Sequence, residues 1–344
     1  MLRPYQQKAL DLIEGFIHFG EGREACLVAP TSFGKSYIIA KICEDYENVV
    51  VLTNITKLIY QTSDLLDAHG IAHSLLKANL KKEPKRESDN VVLAMQQTLA
   101  SRKQLVPKCD ILVVDERHIS FGSATMVEIE NRLKPNKIIG LSATPMDSKG
   151  ALLDGIELIN TVTIDELTEQ GFLCPLDTYV AKFSESLDFS DVDVGVNGDY
   201  NEVQLSEIIN TEAYNTEVVN QWRDVCKDKK TIVFASGIAH AEALAQEFGK
   251  FTPSGVVHSK RSDEENTQTM EQFRRGEIKV LCSMNQLTTG FSEEDIEVGI
   301  ICRPTKVRRL WAQMVGRKLR THRPLDKLLD KYSDKLDFSS NSVV

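Results

Sequence analysis

No stretch of this chain comes near the ~18–20 consecutive apolar residues that a membrane-spanning helix needs. Its opening, Met1-Leu2-Arg3-Pro4, soon meets acids and lacks the apolar run of a secretory leader, so no signal peptide is expected. Seven cysteines are scattered without one Cys-x-x-Cys pair. An odd, dispersed count suits reduced thiols in a cytosol better than a disulfide framework or a zinc site. Short-period repeats and low-complexity tracts are missing as well. Net positive charge is also absent: the sum is -9, with pI ≈ 5.4. This excludes a passive coat for nucleic acid, though not a nucleic-acid enzyme, whose binding depends on local patches.

What is present is an ordinary two-domain quantity of chain: 344 residues, 42% hydrophobic and 26% charged. One local patch stands out. Between Cys302 and Leu325 there is no acid, while Arg303, Lys306, Arg308, Arg309, Arg317, Lys318, Arg320 and Arg323 are basic. A second basic run, with Lys77, Lys81, Lys82, Lys85 and Arg86, reads equally well as a solvated face or as a contact surface.

Residues 2–18 carry Leu10, Leu12, Ile13, Phe16 and Ile17 at helical spacing. Strand-like runs then follow at 25–29, 48–53, 90–94, 109–115 and 137–142, with helical patterns at 35–43, 56–69 and 123–133. Strands alternating with helices predict an α/β fold with a mostly parallel sheet covered on both faces. The texture changes at 165–211, where residues 187–199 are acidic and turn-rich, the composition of a loop or linker. Alternation resumes with strands at 230–235, 255–258, 278–283 and 298–302, and helices at 240–248, 263–275 and 307–319. The domains expected are 1–165, a linker with an acidic loop at 166–212, a second domain at 213–330 and a tail at 331–344.

Three motifs carry chemistry. Ala29-Pro-Thr-Ser-Phe-Gly34-Lys35-Ser36 has Walker A spacing with alanine for the first glycine, between a strand and a helix. Its backbone N–H groups and the helix N-terminus suit phosphate oxygens. Lys35 would neutralise β/γ charge, and the Ser36 hydroxyl would bind magnesium. The buried run Ile111-Leu112-Val113-Val114 ends in Asp115-Glu116-Arg117-His118. A carboxylate at such a strand end reaches magnesium. Asp115 is therefore the metal ligand, and Glu116 the group that orients and deprotonates water. In Gln313-Met-Val-Gly316-Arg317-Lys318-Leu319-Arg320, a helix would place Gln313, Arg317 and Arg320 on one face at i, i+4 and i+7. Two such arginines in a second domain follow arginine-finger logic, in which domain closure gates hydrolysis.

With these motifs in this order the chain resembles superfamily 2 helicases, in particular compact DExH motors of the bacterial and phage type related to the XPB group and to phage branch-migration helicases. The resemblance covers about residues 2–325. Further matching motifs are Leu2–Gln6, Leu52–Lys57 with Gln61, Met95–Leu99, Gly140–Pro145, Thr231–Ala235 and Leu287–Ser292, together with the phrase Gly171–Pro175. It implies two tandem RecA-like domains with parallel sheets and an ATP cleft between them. It also implies residue roles. Arg3 and Gln6 would read adenine; Thr31, Ser32, Gly34, Lys35 and Ser36 would hold phosphates and magnesium. His118, Ser142 and Thr144 would couple the ATP site to the strand. Thr53, Lys57, Gln97, Thr98 and Thr288 would face the sugar-phosphate backbone, which positions without reading sequence. Gly290, Gln313, Arg317 and Arg320 would complete the ATP site. Four residues depart from the pattern: Ser32 stands where many relatives have glycine, Arg117 where Ala or Cys is usual, Ser292 where Asp is usual and Thr289 where Glu is common.

The resemblance implies a monomeric, cytosolic ATP- and Mg2+-dependent DNA helicase or translocase that moves 3′→5′ and makes no use of a membrane. Its DNA would be single-stranded and branched, including forks and four-way junctions, in recombination, replication or repair and alongside other proteins of those processes. An RNA helicase, a restriction-type DNA motor and an ATP-switched clamp that separates no strands remain alternatives.

Overall fold

A computed structural model describes residues 2–30, 32–78, 90–146, 151–175, 177–179, 187–195, 198–226, 229–284, 296–307 and 314, with Lys57 described by its backbone alone. The chain divides into two compact units, Met1–Ile164 and Asp165–Val344.

In the first unit the order is α1 (Pro4–Phe19), β1 (Glu24–Val28), α2 (Lys35–Asp45), β2 (Val49–Thr53), α3 (Thr56–Ala68), β3 (Ser74–Leu76), β4 (Val91–Met95), α4 (Gln96–Ser101), β5 (Ile111–Asp115), α5 (Arg117–Ser120), α6 (Ala124–Leu133), β6 (Lys137–Ser142) and β7 (Glu157–Asn160). The seven strands form one sheet in the order β3-β4-β2-β5-β6-β1-β7. Every pairing in it is parallel. Central strands β2 and β5 are buried at every position, as expected where helices cover both faces of a parallel sheet. Leu52, Leu112, Val114 and Ile138 pack with Met126, Ile129 and Leu133 of α6 in one core cluster. Each such aliphatic side chain contributes about 1.5–3 kcal/mol by leaving water.

α1 starts where Pro4 supplies a fixed φ at the first turn, and the Gln6 Oε1 accepts the Arg3 N–H at 2.9 Å. Ser123 caps α6 by accepting the Met126 N–H.

The helix α7 (Ile164–Glu169) lies at the division between the units. The second unit continues with α8 (Glu202–Ile209), α9 (Glu212–Cys226), β8 (Thr231–Ala235), α10 (Ile238–Gly249), β9 (Ser254–Val257), α11 (Asp263–Arg274), β10 (Val280–Ser283) and β11 (Val298–Cys302). Its four strands are also parallel, in the order β11-β8-β10-β9. Strand periodicity sorts its core onto two faces: Val233 and Ala235 pack with Trp222, Leu244 and Phe248, while Ile232 and Phe234 pack with Phe273, Leu281 and Met314. The helix expected at 307–319 lies outside the described residues apart from Val307 and Met314.

The described part of the stretch read as an acidic linker has a core of its own in the second unit. Val192, Leu205 and Ile209 are buried together, with Leu187, Phe189, Tyr200 and Tyr214 packed on them. Asp199 accepts from the Arg303 guanidinium at 3.2 Å, the Thr305 hydroxyl at 3.0 Å and the Lys306 N–H at 3.0 Å. The acids of this segment thus conceal an apolar set, and one of them anchors the segment to the residues that follow β11. Among the described residues no helix is long and apolar enough to cross a membrane. All seven cysteines are free, and burial pushes the Cys26, Cys43, Cys109 and Cys302 thiols up to about 12.

Candidate nucleotide-binding and hydrolytic site

Parallel register places Val28 beside Ser142 and Asp115 beside Leu141, so β1, β5 and β6 end at one edge of the sheet. That carboxyl edge is where open parallel sheets bind ligands. Between β1 and α2 the chain turns through left-handed backbone at Ser32, φ 71°, and at Gly34, φ 88°. The left-handed conformation at Gly34 favours glycine, and a Cβ there would sit 2.5 Å from Gln6 Nε2 and displace that side chain. Lys35 and Ser36 then open α2, whose first N–H groups have no partner within the helix and favour an anion.

Gln6 is drawn to this loop. It is 5% exposed, and its Nε2 donates to the Phe33 carbonyl at 2.9 Å. The Tyr5 ring meets Phe33 edge-on at 5.0 Å, and the Arg3 guanidinium donates to the Tyr5 hydroxyl at 3.3 Å. Arg3 and Gln6 are therefore fastened to the phosphate loop. Thr31 lies outside the described residues.

Across the edge, Asp115 ends β5 at 7% exposure. Glu116, the next residue, has left-handed backbone at φ 52°, a conformation that costs a residue with a Cβ about 1–3 kcal/mol and gathers at functional sites. Lys35 Nζ donates to Glu116 Oε1 at 2.5 Å and lies 3.6 Å from Asp115 Oδ1. Burial pushes Lys35 down, but Glu116 and Asp115 beside it outweigh that and hold its ammonium above the usual value. Burial pushes Asp115 up, and Lys35 only partly opposes it. The loop lysine and both motif carboxylates thus meet at one point, where Lys35 can exchange carboxylate for phosphate oxygens.

The residues assigned to coupling continue from there. His118 Nδ1 lies 2.7 Å from Ser142 Oγ and 3.6 Å from Glu116 Oε2. Ser142 Oγ also accepts the Thr144 N–H at 3.0 Å. Glu116, His118, Ser142 and Thr144 are thus polar neighbours in a row from β5 to β6, with hydrogen-bond distances from His118 onward.

Arg117, which has no counterpart in the family pattern, finds its partners in this unit. It is 2% exposed. Nε donates to Glu24 Oε1 at 2.6 Å, and Nη2 donates to Glu24 Oε2 at 3.0 Å and to Glu130 Oε1 at 2.9 Å. Burial pushes Arg117 down and both carboxylates more than restore it; burial pushes Glu130 up, with Arg117 opposing. Sequence reasoning missed this network. An arginine inside a buried motif signals that acids must lie near, but 50 acids are on offer and nothing in their order selects Glu24 and Glu130.

Of the residues assigned to the nucleic-acid track, Thr53 ends β2 and accepts the Ile55 N–H at 3.2 Å, and Thr98 accepts the Ala78 N–H at 3.0 Å. Both threonines are buried, whereas Gln97 between them in the track is exposed. The Lys57 side chain, Thr288, Gly290, Gln313, Arg317 and Arg320 lie outside the described residues, as do Thr289 and Ser292.

Magnesium fits the donors present. Ser36 supplies a hydroxyl and Asp115 a carboxylate, both hard oxygen ligands. Among the described residues no group of three or more His, Cys, Asp or Glu forms a metal cage.

Comparison with known proteins agrees with this geometry. Residues 1–147 match the family model of the type III restriction enzyme res subunit, and residues 216–323 match that of the helicase conserved C-terminal domain. A 51.5 kDa protein of a Lactococcus phage is 26% identical over 313 residues, 88% of this chain and 64% of that protein. IRC3 of Saccharomyces cerevisiae, which carries the name of an ATP-dependent helicase, is 26% identical over a 360-residue alignment, 95% of this chain and 50% of that protein. The chain thus spans about half to two thirds of the length of these relatives. Among solved structures, the ATP-dependent type ISP restriction-modification enzyme LlaBIII bound to DNA superposes with a TM-score of 0.63 at 16% identity, over 93% of this chain and 27% of that one. S. cerevisiae Dbp5 bound to RNA and ADP BeF3 gives 0.58 at 15% identity, over 92% and 84%. At such identities the likeness is one of fold, that of tandem RecA-like domains. A phosphate loop facing a DExH quartet, two parallel α/β units and two helicase-family models matched in order have one common explanation: the chain belongs to the superfamily 2 helicases.

Proposed function

We propose that this protein is an ATP-dependent DNA translocase or helicase. The observation that carries the reading is Lys35 bridging Glu116 and Asp115 at the carboxyl edge of the first sheet. The α2 N-terminus and Lys35 bind the β- and γ-phosphates, and Gln6 with Arg3 holds the base. Ser36 and Asp115 hold magnesium, which when bound neutralises charge on the β/γ oxygens. With Lys35 on phosphate, Glu116 is free to orient a water and take its proton. His118 and Ser142 carry the change at Glu116 to β6. Following the family resemblance, Gln313, Arg317 and Arg320 complete the site from the second domain, and Thr53, Lys57, Gln97, Thr98 and Thr288 follow one strand's phosphates. The same resemblance gives 3′→5′ movement on forks and four-way junctions.

The restriction-enzyme model matched over residues 1–147 favours DNA over RNA, and it supports a second reading in which the chain is a restriction-type DNA motor. One experiment separates these readings: ATPase stimulation by single-stranded DNA, duplex, fork, four-way junction and RNA at a single salt concentration, beside a strand-displacement assay. Stimulation by DNA with displacement of forked strands is expected. Duplex-stimulated ATPase without displacement identifies the restriction-type motor or a clamp, and stimulation by RNA alone rejects the DNA assignment. Lys35→Ala and Glu116→Gln should each lower turnover by about 100-fold or more; near-wild-type ATPase in either rejects the hydrolytic site.

A further inference from the structure

Arg117 lies between Glu116, the proposed base, and His118, which faces Glu116 and Ser142, yet its side chain leaves the site. Its stem crosses the face of β6 at Gly140, where a Cβ would sit 2.8 Å from Arg117 Cγ and 3.0 Å from Arg117 Cβ. Glycine in this motif is therefore what gives the arginine passage. Gly140 pairs with Cys26, and Glu24 lies two residues earlier on β1. The side chain thus reaches from the carboxyl edge of the sheet back towards the start of β1. There its guanidinium is held on two sides, by Glu24 of β1 and Glu130 of α6, with the Phe121 ring 5.1 Å away. A planar fork bound to two carboxylates on different elements has little freedom to turn.

The backbone just before this anchor is the left-handed Glu116, and the residue after it is His118, whose ring contacts Ser142. We propose that Arg117 is a positioning residue for hydrolysis: pinned by Glu24 and Glu130, it holds Glu116 in the left-handed conformation that aims its carboxylate at the Lys35 ammonium. This rests on the proposed function. Without the anchor, Glu116 relaxes towards ordinary backbone angles and its carboxylate swings away from the attacking water, while the phosphate loop, built from β1 and α2, still binds nucleotide.

The test must separate positioning from simple support of the fold. The combined variant Arg117→Met, Glu24→Gln, Glu130→Gln keeps an apolar stem over Gly140 and leaves no buried charge unpaired, a replacement that folds commonly tolerate. Arg117→Lys keeps the charge and the stem but cannot grip both acids. Each is assayed as the full chain, with thermal midpoint, kcat at saturating ATP and nucleic acid, and KM for ATP. The expected result in both variants is a kcat lower by about tenfold or more at a temperature where they are folded, the cost of misplacing a reacting group by under an ångström. KM for ATP should stay within about twofold, since ground-state binding is untouched. Wild-type kcat in either folded variant overturns the proposal, as does a fall in kcat matched by an equal rise in KM. If the combined variant does not fold, Arg117→Lys decides by the same criteria. A wild-type protein without nucleic-acid-stimulated ATPase overturns the proposed function itself; a competent wild type beside unimpaired variants overturns only the role of Arg117.

Discussion

The two units bury polar groups at the same place, just beyond the end of a central strand, and do so with opposite chemistry. Past β5 in the first unit, Lys35, Asp115 and Glu116 bring full charges together under little solvent, and Arg117 carries another back to Glu24 at the start of β1 and to Glu130 of α6. Past β8 in the second, Ser236, His240 and Asn215 form a neutral chain, with His240 Nδ1 2.7 Å from Ser236 Oγ and Nε2 3.1 Å from Asn215 Oδ1. Burial pushes His240 down to about 4, so its ring is uncharged at neutral pH. Buried ion pairs add little to stability compared with neutral or apolar replacements. On the proposed function the difference marks where chemistry is done: charge gathers where a phosphate and a metal would be met, and neutral hydrogen bonds serve where only shape is needed.

The contrast is sharpest in a variant that touches chemistry alone. Glu116→Gln should lower kcat by about 10²–10⁴-fold, the usual contribution of a general base. The thermal midpoint should stay near the wild type, because Lys35 keeps Asp115 as a partner and two crowded carboxylates become one. A large fall in the midpoint would mean that the first unit's charges are structural too.

Among its described residues the second unit holds a buried ion pair of its own, and it offers the converse test. Asp199 is 2% exposed and takes the Arg303 guanidinium at 3.2 Å, with Glu202 on the same nitrogen at 3.0 Å. Arg303→Ala strips a buried carboxylate of this cation and should cost about 3–5 kcal/mol, read as a lower urea midpoint. Arg303→Met combined with Asp199→Asn should recover most of that loss. If it does not, the pair contributes more than mutual neutralisation.

Acid should expose the neutral network. An unfolded histidine takes up a proton below about pH 6.5, whereas folded His240 resists protonation down to about 4. Stability from this group is complete above pH 6.5 and is lost as pH falls, by about 2 kcal/mol between pH 6.5 and 5. His240→Gln, which retains a donor and an acceptor, should flatten that part of the stability-pH curve. An unchanged slope would assign the acid sensitivity to another group.

The contrast also explains what the amino-acid sequence made legible. Continuous apolar runs such as Ile111–Val114, short, β-branched and bounded by polar residues, read as buried parallel strands, so the central sheet could be read, and with it the phosphate loop and the DExH quartet at its edge. Elements with little apolar surface could not. β3 has three residues, and of β7 only Ile159 is buried. α9 buries Val218, Val219, Trp222 and Cys226 at helical spacing, but the acidic texture around it hides the pattern. Partners far apart in the chain were illegible for a different reason: Arg117 and Glu24 are 93 residues apart, and Arg303 and Asp199 are 104 apart, so only the fold could pair them.

The smallest expected effect lies in the phosphate loop itself. Ser32 and Gly34 both have left-handed backbone, yet one is a residue with a Cβ. Holding an L-residue there costs about 1–2 kcal/mol, whereas glycine is at ease in that region. Glycine also gives the unfolded chain more freedom, which takes back about 0.5–1 kcal/mol. Ser32→Gly should therefore stabilise the protein by about 0.5 kcal/mol, measurable as a small rise in the urea midpoint with an unchanged slope. If Ser32 were kept for its hydroxyl, the same variant would raise KM for ATP while the midpoint still rose. If the midpoint fell, the side chain would be holding the loop together by more than its backbone strain costs. In that case the charged site of the first unit would rest on a neutral hydrogen bond, as the second unit does.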